Sequence, residues 1–303
     1  MAVLSLVKLL WILWILLILL ILLILFNLFL ILIMSREKKE ENDFVIRFVV
    51  AKYKENVQWT CHLGHLGHLA TLQNNESNES NKSNESNPPS FEIWTYHKGC
   101  PEDVKNENEN FLDIVCDSEL KIRRKLMCLP NVGRCDHTFL YYIINEYDRL
   151  PDLSIFLPAS SMDEHKKQKA LYIIQNAISS RDTVLHGFPS SFEHIKDFQL
   201  DEWVATNTEN QRHNPQSKLL PASPRPMGKW FEHHIGLDRP IPVFTYYSIF
   251  AVHKRHILQH PKSYYENILT TVDHHHNPEA GHYIERSYSA IFWPYPQSCI
   301  YLT

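Results

Sequence analysis

The sequence predicts an α/β domain with a mainly parallel sheet, carried behind one membrane-spanning helix. Three observations predict it. The runs "FVIRFVVA" (44–51), "FEIWTY" (91–96) and "LSIFL" (153–157) are short, apolar and β-rich, as strands covered on both faces are. Helical periodicity lies between and after them, most clearly where Phe139, Leu140, Ile143, Ile144 and Tyr147 fall on one face. The chain also opens with an apolar run far longer than any core element needs.

That run is the first element. From Leu9 to Met34 there is no charged side chain and one polar one, Asn27. As a helix it is about 39 Å long, against a hydrocarbon core of about 30 Å. A cleaved secretory signal has a shorter apolar region and a small-residue cleavage site, and neither is present. A buried core helix is the alternative reading, and a Leu/Ile face all the way round over this length favours the membrane span. Residues 1–8 are thus expected as a short tail, 9–34 as an uncleaved anchor contacting membrane lipid, and 35–43 as a charged stalk. Arg36, Lys38 and Lys39 would place the carboxyl side in the cytosol. Four Asn-x-Ser sequons, at Asn75, Asn78, Asn81 and Asn84, matter only in a lumen, although a repeat such as "NNESNESNKSNES" generates sequons by composition alone. An ER or Golgi orientation with a lumenal carboxyl-terminal domain is the favoured expectation.

Residues 44–303 are expected as one α/β domain. Its Asn/Ser/Glu-rich stretch 73–90 reads as a disordered surface insertion. After Pro130-Asn131 the spacing predicts a helix capped by Asp136, then a tight turn and the strand 153–157. A helix follows over 163–178. Residues 181–245 read as irregular, and helices are expected at about 249–258, 262–272 and 281–292. Only Lys8 is charged before Arg36, so the remainder carries 29 Lys and Arg against 34 Asp and Glu, a balance of −5. Nucleic acid is therefore not an expected partner.

No Walker loop, Gly-x-Gly-x-x-Gly, nucleophile elbow or His-Glu-x-x-His occurs. Six scattered cysteines lack a Cys-x-x-Cys pair, which argues against a zinc knuckle and leaves any disulfide pairing open. The clusters His62/His65/His68 and His274/His275/His276 have histidine density without a ligand framework.

In order, "RFVVAKYKENVQW", "IWTYHKG", "LPNVGRCDHTFLYYIINEYDRLPDLSIFL", "FAVHKRHILQHPKSYYENIL" and "GHYIERSYSAIF" resemble signature blocks of the domain-of-unknown-function 3431 family. The family has no assigned reaction. The resemblance implies a membrane-anchored protein with a distant likeness to glycosyltransferases of the GT-A type, hence a three-layer domain. Family members usually carry Glu where this chain has Cys135, and a histidine-containing polar run where it has Pro158-Ala159-Ser160-Ser161. No Asp-x-Asp occurs, which puts a divalent metal such as manganese in doubt. The segment "YYENILTTVD...GHYIERSY" is also similar to the donor-sugar region of fungal α-1,2-mannosyltransferases, which implies a site at Glu285 and Arg286.

On this reading Glu285 is the catalytic candidate, as general base or oxocarbenium stabiliser, and Arg286 faces a phosphate. A Glu–Arg pair tying a helix to the core is the alternative. Asn131, Gly133, Arg134 and His137 lie at a helix start, where free N–H groups and a guanidinium suit a nucleotide diphosphate. A turn glycine and a bracing arginine are the bland alternative. Tyr53 and Lys98 follow strands and are candidates for the donor nucleotide, in the place where open α/β sheets bind ligands. Asp163 and His165 are the metal-type pair after the third strand, or simply the first turn of an exposed helix. Two function classes follow: an enzyme using a nucleotide-sugar donor, or a catalytically silent scaffold on the same fold.

Overall fold

The structure is a computed structural model. It describes residues 44–63, 89–99, 123–203 and 218–303, with residues 11, 14 and 22–27 of the amino-terminal segment. The chain divides into two units, Met1–Asp43 and Phe44–Thr303. In the first, residues 22–27 are helical and Asn27 donates its side-chain N–H to the Leu23 carbonyl at 2.9 Å, so its polar group is satisfied within the helix. Among the described residues no helix is long and apolar enough to cross a membrane, and most of the expected span 9–34 lies outside them. The sequons at 75–84 and His65 and His68 also lie outside them.

The second unit is a three-layer α/β domain. A five-stranded sheet has the order β3-β2-β1-β4-β7, built from β1 (Val45–Lys52), β2 (Ser90–Lys98), β3 (Arg123–Leu129), β4 (Leu153–Pro158) and β7 (Phe250–His253). The first four strands are parallel, and β7 runs antiparallel to β4 with Phe156 opposite Phe250. The chain order reverses between β1 and β4, which makes a topological switch point at the carboxyl ends of those strands. β5 (Leu185–Pro189), β6 (Val243–Phe244) and β8 (Ile300–Leu302) form a second, small sheet.

Alternation along β1 builds the layers. Ile46, Phe48 and Val50 face one side, with Ala170, Ile173, Ile174 and Ala177 of α2 (Glu164–Ser180). Val49 and Ala51 face the other, where α1 (Arg134–Glu146) and α7 (Glu279–Ile291) pack. The remaining helices are α3 (Phe192–Ile195), α4 (Met227–His234), α5 (Lys254–Ile257) and α6 (Lys262–Leu269). Phe48 and Phe156 are fully buried, and each such ring contributes about 1.5–3 kcal/mol. Phe250 joins Phe156 to Tyr288, at centroid distances of 4.8 and 4.1 Å. This aromatic column fixes the place where the Tyr288 hydroxyl emerges.

Several expectations are corrected. Residues 181–245 are not irregular throughout, since β5, β6, α3 and α4 lie in them. The helix expected at 249–258 is strand β7 followed by a single helical turn. β3 and β8 were not expected at all. Asp136 is not the helix cap: Gly133 occupies that position, and Asp136 lies in the first turn. The strands and helices expected at 44–51, 91–96, 153–157, 163–178, 262–272 and 281–292 are present within a few residues. Cys61 and Cys128 are each disulfide-bonded, while Cys135 and Cys299 are free.

Candidate functional site

The site lies at the carboxyl ends of the parallel strands. Lys98, the last residue of β2, is buried and donates its ammonium to the carbonyls of Val132 and Arg134. It thereby props a turn in which Gly133 and Arg134 both have positive φ, +59° and +53°. Burial pulls the Lys98 pKa down to about 7, against the attraction of Cys135 and Asp136. Gly133 is required here for two reasons. Its φ favours glycine, and a Cβ would sit 2.2 Å from the Val272 carbonyl oxygen. The Gly133 N–H is already donated to the His275 carbonyl at 2.7 Å.

The turn aims Arg134 across to α7. Its guanidinium donates to His282 Nε2 at 2.7 Å and lies 4.1 Å from the Trp203 ring centre. Among the described residues no carboxylate lies within ion-pair distance of Arg134. Arg286, one turn beyond His282, stacks 3.9 Å over Phe198 and donates to the His282 carbonyl at 3.0 Å. Glu285 Oε2 stands 3.8 Å from both Arg286 and His282 Nδ1, and Oε1 accepts the Tyr247 N–H. Burial first, then the two arginines, push the His282 pKa down to about 2, so the ring is neutral. The same Arg134 nitrogen lies 3.2 Å from His282 Nδ1, so the guanidinium spans both ring nitrogens. Lys169 of α2 adds a third cation, donating to the Tyr246 carbonyl at 2.6 Å. Burial lowers its pKa to about 8, opposed by Glu285.

Asp136 forms the floor. It is buried, and its Oδ1 accepts from Ser248 Oγ at 2.9 Å and Tyr288 Oη at 2.7 Å. Its pKa is raised to about 6, by burial first and then by Glu285, with Arg134 and both hydroxyls opposing. Beside it, burial drives the Cys135 thiol up to about 12, so it is not a nucleophile at neutral pH.

Arg134, Glu285 and Arg286 therefore meet through His282. Tyr53 and Asn131 lie together against Gly99, at the ends of β1, β2 and β3. His137 is buried and stacks on Tyr141 (6.0 Å), with Lys98 and Asp273 as its charged neighbours. Asp163 precedes α2 without capping it by its side chain. His165 is exposed and edge-on to Tyr247 at 5.5 Å. Sequence reasoning missed His282, Trp203, Lys169 and the roles of Asp136, Ser248 and Tyr288. For His282 a signal existed, because His282 and Glu285 are three apart on one helix and share a face.

The donor set does not fit a divalent metal. Glu285 is flanked by a guanidinium, and the Oδ1 of Asp136 is taken by two hydroxyls. Elsewhere among the described residues, Asp182, His256 and Cys299 bring ligand atoms within 4.8 Å of one another. The polar atoms of Asp182 and His256 are already engaged. Thr183 N–H donates to Asp182 Oδ1 (2.6 Å), Arg255 pairs with Oδ2 and donates to His256 Nε2 (3.3 Å), and Thr183 Oγ1 bonds His256 Nδ1 (2.6 Å). Arg255 occupies the electrostatic role an ion would have.

Comparison with curated proteins finds no match. The model of a protein-family described as "Protein of unknown function (DUF3431)" matches residues 101–302, which include α1, Glu285 and Arg286 but not β1, β2 or Tyr53. The chain belongs to that family.

Proposed function

We propose that this is a single-pass membrane protein whose domain binds a nucleotide sugar and transfers its glycosyl group. One observation carries the reading. Two half-buried arginines, a neutral histidine and a carboxylate meet at the carboxyl edge of a sheet ordered 3-2-1-4. That is the edge, and the strand order, at which doubly wound sheets bind nucleotides. The same order is consistent with the GT-A likeness. The apolar run 9–34 supports the anchor, and the disulfide-bonded Cys61 and Cys128 support a lumenal, oxidising setting.

In this reading Arg134 and Arg286 hold the diphosphate, and their charge stabilises it as it leaves with the bonding electron pair. Tyr53 and Asn131 border the nucleotide, and Lys98, its ammonium given to the Val132 and Arg134 carbonyls, holds the turn beside it. Glu285 accepts the proton of the attacking acceptor hydroxyl. Manganese has no part, because the arginines supply the positive charge. A catalytically silent scaffold is the second reading. Cys135 and the Pro158–Ser161 strand end favour it, since neither offers a carboxylate to the cleft.

A thermal-shift screen of the full-length protein with UDP-, GDP- and CMP-sugars separates the two. A ligand at a hundredfold excess over its Kd stabilises the fold by about 2.7 kcal/mol. One nucleotide is expected to raise the melting temperature equally with and without Mn²⁺, and Arg134→Ala is expected to abolish the shift. No shift with any donor leaves the scaffold reading.

A further inference from the structure

Beside the cluster of Arg134, His282 and Glu285 stands a wall of aromatic rings that the donor reading does not use. Phe188 of β5 is 55% exposed, Tyr247 is 38% exposed, and Tyr246 lies between them. The Phe188 and Tyr246 rings are 6.0 Å apart and nearly perpendicular, and Tyr246 and Tyr247 are 6.4 Å apart. Large exposed aromatic rings cost solvation unless a partner covers them.

This wall is joined to Glu285 by covalent and hydrogen-bonded neighbours. The Tyr247 N–H is donated to the Glu285 carboxylate, Thr245 Oγ1 donates to the Glu285 carbonyl at 2.9 Å, and Lys169 holds the Tyr246 carbonyl. Arg286 lies 5.5 Å from the Tyr246 ring. The backbone is strained to achieve this. Tyr247 and Ser248 take φ of +70° and +51°, a left-handed backbone that non-glycine residues rarely adopt. That strain turns Tyr247 outward while Ser248 reaches inward to Asp136.

We infer that Phe188, Tyr246 and Tyr247 form a saccharide platform for the acceptor. The inference rests on the glycosyltransferase-like reading of the cleft. A pyranose has an apolar C–H face and a rim of hydroxyls. The rings offer flat apolar surface, and Glu285 and Lys169 at their border offer an acceptor and a donor for the hydroxyls. The same contact sets an acceptor hydroxyl beside the Glu285 carboxylate.

The test is saturation-transfer NMR on the full-length protein in a sugar-free detergent. The probes are methyl α-mannoside, methyl β-galactoside and N,N′-diacetylchitobiose at millimolar concentration. At least one is expected to bind. Phe188→Ala is expected to weaken it roughly tenfold, the value of one lost apolar ring contact, while Phe188→Tyr retains it. Absence of signal from all three sugars, or unchanged affinity in Phe188→Ala, overturns the inference. The nucleotide thermal shift is read in parallel. A shift without saccharide signal overturns the platform alone. Saccharide signal lost in Phe188→Ala, with no nucleotide shift, upholds saccharide binding by the rings and removes the donor reading, and with it the acceptor role.

Discussion

Asp136→Asn tests the electrostatics of the cleft floor. In the folded protein the Asp136 carboxyl titrates at about 6, against an ordinary value of 3.8. Two terms compete. Burial and the Glu285 carboxylate disfavour the anion, and Arg134, Ser248 and Tyr288 favour it. The raised value means the first pair wins. The folded state then binds more protons than the unfolded chain between the two values. Stability from this group is therefore greatest at low pH and falls as pH rises through about 6. A gap of about two pH units corresponds to about 3 kcal/mol. Asparagine keeps the oxygen that Ser248 and Tyr288 donate to, and places an amide beside the Cys135 sulfur, 3.9 Å from the present Oδ2. It removes only the ionisation. Urea unfolding of both proteins from about pH 4 to about pH 8 should show the variant gaining up to about 3 kcal/mol relative to wild type as pH rises. Glu285→Gln should weaken the wild-type slope by removing the like charge. Parallel stability curves for wild type and Asp136→Asn would refute the reasoning. They would mean that Arg134 and two hydroxyls outweigh burial and keep Asp136 ionised throughout.

Three further outcomes follow from the same geometry. Gly133→Ala forces a side chain into positive φ and against the Val272 carbonyl, and should lower stability by at least about 2 kcal/mol, seen as a fall in melting temperature. Glu279 is fully buried, accepts from Leu200 N–H, Ala222 N–H and Tyr283 Oη at 2.7, 2.8 and 2.7 Å, and pairs with Arg225. Glu279→Ala should cost about 3–5 kcal/mol in urea unfolding, with Glu279→Gln closer to wild type. Reduction with dithiothreitol, or Cys61→Ser, should remove about 2–4 kcal/mol, and a melting temperature indifferent to both would count against a disulfide at Cys61.

The sequence alone determined the elements whose signal is local. β1, β2 and β4 announce themselves as apolar runs, and α1, α2 and α7 by helical spacing, because burial on one or two faces is written into neighbouring residues. It also singled out Glu285 and Arg286 as ionisable groups in an apolar setting, and Arg134 as a guanidinium at a helix start. Only the tertiary structure decided the rest. Phe250–His253 is a strand because β4 offers it an edge, a partner about a hundred residues away in the chain. Asp136 looked like a helix cap, the local role its type favours. Instead it accepts from Ser248 and Tyr288, 112 and 152 residues distant. Arg134 and His282 are 148 residues apart, and no periodicity encodes their 2.7 Å contact. Local spacing writes secondary structure, whereas a site assembled from a strand-end turn, a loop and a distant helix exists only once the sheet has set their positions.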